Sequence, residues 1–85
     1  MSRLAKIFEH IITRRSDTNV AFSDVRLLLH RVGFTERVRG SHHIYTMRGV
    51  DEIINLQPKD SLAKAYQVKQ VRELLLKYRL TPDEE

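Results

Sequence analysis

The segment Arg37-Val38-Arg39-Gly40-Ser41-His42-His43 sets an imidazole beside two guanidinium groups at a glycine-containing turn. RNA is cut without a metal when a base takes the 2′-hydroxyl proton, an acid protonates the leaving oxygen, and cations hold the charge that develops on the phosphate. Histidine suits both proton roles, because its ordinary pKa of about 6.5 keeps either form within reach near neutral pH. Arg37 and Arg39 are candidates for the phosphate oxygens. A plainer reading competes: His42 as a turn residue that bonds backbone or touches a phosphate without moving protons.

The pair His42-His43 also raises metal binding, but adjacent strand residues point to opposite faces and do not share one ion easily. No metal and no cofactor are therefore expected. His10 and His30 fall in helical stretches and read as surface or boundary residues. The chain shows no glycine-rich phosphate loop, no nucleophile elbow, no clustered carboxylates and no cysteine, which removes thiolate chemistry and disulfides.

A second basic element lies near the C-terminus. Lys69 and Arg72 are three residues apart, on one expected helix face with Val68 and Val71 on the other, and form a candidate phosphate clamp or simply a solvated face. Tyr45 and Tyr66 are candidates for stacking on unpaired bases, or for packing at the domain edge.

The elements that would position these residues follow from periodicity. Leu4, Ile7, Phe8, Ile11 and Ile12 make one stripe of a helix expected to end near Arg15, and Ser16-Asp17-Thr18-Asn19 reads as a connector. A second helix opens at Phe22-Ser23-Asp24-Val25, with Ser23 as the expected cap, and closes at Gly33. From Phe34 the period becomes two. Three strands follow in meander order, through Val38, then His43 to Met47, then Glu52 to Leu56, with turns at Arg39-Gly40-Ser41-His42 and Arg48-Gly49-Val50-Asp51. Gln57-Pro58-Lys59-Asp60-Ser61 ends the last strand. Val68, Val71, Leu75 and Tyr78 define a terminal helix reaching about Arg79. The expected class is α+β: a three-stranded antiparallel sheet with helices on one face. The other face is left open, with Arg37, Arg39, His43 and Tyr45 as its expected outward residues.

With 85 residues, one domain is expected, and its 41% hydrophobic content is that of a folded chain. The net charge is +4, unevenly spread. Residues 59–79 carry Lys59, Lys64, Lys69, Arg72, Lys77 and Arg79 against Asp60 and Glu73, whereas the tail holds Asp83, Glu84 and Glu85. A local basic face is the footprint of a polyanion binder and also of an ordinary solvated helix. Charges interrupt the N-terminal apolar stretch before it reaches signal or membrane-span length, so a cytoplasmic, membrane-free protein is expected.

The order helix-strand-strand-strand-helix, with Val32-Gly33-Phe34, Arg39-Gly40-Ser41-His42-His43-Ile44-Tyr45, Glu52-Ile53-Ile54-Asn55-Leu56-Gln57 and Tyr66 to Arg72, resembles the HicA-type mRNA interferase toxins of type II toxin-antitoxin systems. The resemblance covers residues 22–80 and implies a fold like the double-stranded-RNA-binding domain, cleavage of mRNA, and silencing by a HicB-type antitoxin. It implies His42 as the catalytic residue, with Gly40 and Ser41 shaping its turn. Residues 1–20 form an extension beyond that core, which either covers it or mediates self-association, and residues 81–85 form an acidic tail. Many family members place Pro-His after the third strand, where this chain has Gln57-Pro58-Lys59-Asp60. A second histidine role is vacant, and Arg39, Lys69 or solvent would complete the chemistry.

Two other readings use the same residues. A non-catalytic module would bind duplex RNA by shape, with His42 and the helix lysines as contacts. A protein-interaction subunit would use the open sheet or the extra helix.

Overall fold

A computed structural model describes residues 2–13 and 16–83. The order is α1 (Arg3–Ile12), α2 (Phe22–Val32), β1 (Thr35–Arg39), β2 (His42–Met47), β3 (Val50–Leu56) and α3 (Ala65–Lys77). The three strands form one antiparallel sheet in the order β1-β2-β3, so β1 and β3 are its edges. This is the expected α+β arrangement.

α1 begins at Ser2, whose hydroxyl accepts the Ala5 N–H at 3.1 Å and so satisfies one of the helix's first free donors. It ends at Ile12, where the Thr13 N–H and hydroxyl both bond the Glu9 carbonyl. The helix thus stops before Arg15, which lies outside the described residues, as do Arg14 and the last two acids. Leu4, Ile7 and Ile11 are buried mainly against α2 and α3, so the apolar stripe packs within its own chain.

α2 is entered through Ala21, which offers no side-chain cap; Ser23 lies inside the helix and is exposed, contrary to the expected cap. Its first turn is supported instead by Asp24 and by Arg3, which bonds it at 2.5 Å from α1. Gly33 closes the helix with φ 120°, a value side-chain-bearing residues rarely adopt, and its N–H reaches the Leu29 and His30 carbonyls.

β1 and β2 are joined by Gly40-Ser41, with Gly40 at φ 59°. Positive φ at only the first central residue is the pattern of a two-residue hairpin turn whose twist suits antiparallel strands. β3 starts at Val50, two residues earlier than the alternation suggested, because Arg48-Gly49 alone makes the second turn. After β3, Lys59 and Leu62 exchange both backbone hydrogen bonds around Asp60-Ser61. Phe22 N–H bonds the Ser61 carbonyl and Ala63 N–H bonds the Val20 carbonyl, which stitches this loop to the start of α2.

One core unites the molecule. Val25, Leu28 and Leu29 of α2, Val68, Val71 and Leu75 of α3, and Tyr45, Ile54 and Leu56 of the sheet are fully buried together with Ile11. The helices therefore occupy one face of the sheet. No helix of the described residues is long and apolar enough to cross a membrane.

Candidate functional site

Register decides which side chains reach the open face. Glu36 lies opposite Tyr45, and Tyr45 opposite Ile54; since Ile54 is buried, this row points to the helices. Val38, His43 and Leu56 make a second inward row. The alternate positions face outward: Arg37, Ile44 and Asn55 in one row, Arg39 and His42 in the next. Arg37, Arg39, His42 and Asn55 are all exposed.

His42 is the first residue of β2 and stands directly across the ladder from Arg39. Its ring Nδ1 is 3.0 Å from Asn55 Oδ1, one diagonal step away on β3. The turn before it is held by Gln57, whose side-chain amide donates to Ser41 Oγ at 3.0 Å. The Gln57 carbonyl in turn accepts from Gln67, a buried side chain whose Oε1 receives the Lys64 N–H at the start of α3. The His42 turn is thereby tied to the first turn of α3.

Four expected contacts stand elsewhere. His43 and Tyr45 face the helices rather than the open side: Tyr45 is fully buried, and His43 packs edge-on against Phe22 at 4.9 Å between ring centres. Both serve Glu36. Its carboxylate accepts two hydrogen bonds from Arg26 at 2.9 and 3.0 Å, one from the Tyr45 hydroxyl at 2.5 Å and one from His43 Nδ1 at 2.9 Å, with His30 Nε2 at 3.3 Å. Burial alone would raise the Glu36 pKa, but the hydrogen bonds from Arg26, Tyr45 and His43 outweigh it and hold the group down at about 2. Burial, followed by the Glu36 bond, pushes the Tyr45 phenol above its ordinary value.

Arg72 does not share a solvated face with Lys69. It is 2% exposed and turns toward the end of α1, giving Asp17 two bonds at 2.7 and 3.1 Å and the Ile11 carbonyl one at 3.4 Å. Its bond to Asp17 raises its pKa further. Charge that looked like a phosphate clamp is a strut between α3 and the connector. Lys69 is exposed, but on the helix layer, across the sheet from His42.

Sequence reasoning missed Glu36 and Asn55. The only available sign of Glu36 was an acid at an inward position of an alternating strand, and Asn55 has no local signature at all. Among the described residues no group of three or more histidines and acids is placed to hold a metal ion. A groove between α1 and residues 16–21, lined by Lys6, Ile7, His10 and Asp24 among others, includes none of the expected site residues.

The site thus defines a small α+β domain with a basic, open sheet face centred on one exposed histidine. Comparison with protein-family models, curated proteins and solved structures finds no match to this chain.

Proposed function

We propose that this protein is a metal-independent endoribonuclease of the HicA toxin type, built on a fold like the double-stranded-RNA-binding domain and silenced by a HicB-type antitoxin. One observation carries the reading: His42 shares the open sheet face with Arg37 and Arg39, the second of them directly opposite it. An RNA strand laid on that face meets a proton-transferring ring and two cations together. The surface is open rather than enclosed, which suits a polymer substrate in a domain too small for a deep pocket.

Repressible expression in bacteria tests it, with growth and reporter-mRNA integrity followed for wild type and His42→Ala. Arrest and cleavage by wild type alone, at equal folding and abundance, supports the proposal; equal behaviour of the two proteins overturns it.

A second reading is favoured by the hydrogen-bonded chain from Ser41 through Gln57 to Gln67, which couples the β1–β2 turn to the first turn of α3. A rigid pairing of those two elements suits a module that grips duplex RNA by its shape. A duplex retarded on a gel and left uncut by wild type would favour that module.

A further inference from the structure

We infer that Asn55 is a positioning residue that fixes the ring tautomer of His42 and so assigns this histidine the base step. The inference rests on the ribonuclease reading, but its central claim has an observable of its own.

Asn55 Oδ1 lies 3.0 Å from His42 Nδ1, and a carbonyl oxygen only accepts, so Nδ1 carries the hydrogen. In the neutral ring this leaves Nε2 bare, with its lone pair turned away from Asn55. The backbone holds both residues firmly. The pairs His43↔Leu56 and Ile44↔Asn55 lock the two strands beside the contact, and Gln57 pins Ser41 immediately before it. The contact that orients the ring is thus in place before any substrate arrives.

Neutral His42 therefore presents a base. Nε2 takes the proton of a ribose 2′-hydroxyl, the 2′-oxygen forms a bond to phosphorus, and the bond from phosphorus to the 5′-oxygen breaks. The departing oxygen takes a proton from solvent water, and the hydroxide left behind is neutralised by the proton His42 then releases. Arg39 stands across the ladder as a permanent cation for the phosphate; its guanidinium stays charged and takes no part in proton exchange. Without Asn55 nothing among the described contacts holds hydrogen on Nδ1, and the ring is free to carry it on Nε2, where it blocks the base.

Nitrogen-detected NMR of the histidine rings, at a pH where they are neutral, separates the two tautomers. Wild type, Asn55→Ala and Asn55→Asp are compared, with His42→Ala assigning the signal, and single-stranded RNA cleavage is measured on the same samples. Wild type is expected with hydrogen on Nδ1. Asn55→Ala is expected to move it toward Nε2 and to slow cleavage about tenfold, less than the loss of the histidine itself. Asn55→Asp keeps the acceptor oxygen and restores the tautomer and most of the rate. Hydrogen on Nε2 in wild type overturns the inference, as does an Asn55→Ala protein that cuts like wild type while His42→Ala is inactive. The expected tautomer change with no cleavage by any of the proteins sustains the hold of Asn55 on the ring and overturns the ribonuclease reading instead.

Discussion

Glu36 and Tyr45 face each other across the β1–β2 ladder, and the tyrosine hydroxyl donates to the carboxylate at 2.5 Å on the covered side of the sheet. A charged group is thus held where apolar packing would ordinarily go. It persists because every neighbour that reaches it, Arg26, His30 and His43 included, is able to donate.

Removing the charge should therefore destabilise the domain without touching the open face. Glu36→Gln is expected to lose about 2–3 kcal/mol, and Tyr45→Phe about 1–2 kcal/mol, read as urea midpoints. RNA cleavage per folded molecule should be unchanged in Tyr45→Phe, since its ring points away from His42.

Acid should act through the same group. The Glu36 pKa is about 2 in the folded chain against an ordinary 4.5, so the folded state binds its proton less readily. The stabilisation is complete above 4.5 and is lost as pH falls toward 2. Glu52, held down at about 2 by Lys77 and then Tyr78, loses its preference in the same window. Urea midpoints measured on acidification should fall more steeply for wild type than for Glu36→Gln, which retains only the part due to Glu52 and other acids.

Arg72 should behave as a structural residue. Arg72→Ala removes the two bonds to Asp17 and the one to the Ile11 carbonyl that link α3 to the end of α1, and is expected to destabilise the domain by about 2–3 kcal/mol. Thermal unfolding measures it. Lys69→Gln, at an exposed position, should leave the melting temperature where it was, and should leave the cleavage proposed for His42 intact.

On the open face the expected effects reverse. Arg39→Gln should preserve stability and weaken RNA binding, reducing the slope of log affinity against log salt by about one. Filter binding across a salt series reads that slope, and an unchanged slope would remove Arg39 from the interface.

Gly40→Ala tests the turn alone. A Cβ there meets nothing within 4 Å, so only the positive φ of 59° is penalised, at about 1–2 kcal/mol. Ser41 and His42 should lose their placement, lowering cleavage along with stability.

Much of this architecture was legible in the residues. Leu4, Ile7 and Ile11 recur at helical spacing because a buried stripe must, and Gly33 marks the one residue type that turns easily through positive φ. Strand register was not legible. A shift of a single residue exchanges the two faces of a strand, and nothing local in His42-His43-Ile44-Tyr45 says which alternate set is buried. Only pairing with Glu36 and Ile54 settles it, and that moved His43 and Tyr45 inward. Arg72 misled for a similar reason: its partner Asp17 lies 55 residues away, and a cation beside Val71 looks the same whether solvent or a carboxylate awaits it. Asn55 meets His42 only through the β2–β3 ladder, so spacing along the chain carries no trace of it.

The outer margin of β1 has its own consequence. Among the described residues no strand lies beside its backbone on that side, and such margins invite another chain to add itself and grow an aggregate. Thr35-Glu36-Arg37-Val38-Arg39 answers with two outward cations and a carboxylate turned inward, and a newcomer extending the sheet would have to bury charge against the Glu36 cluster. The residue that complicates the core therefore also makes that margin a costly place for a further strand to add.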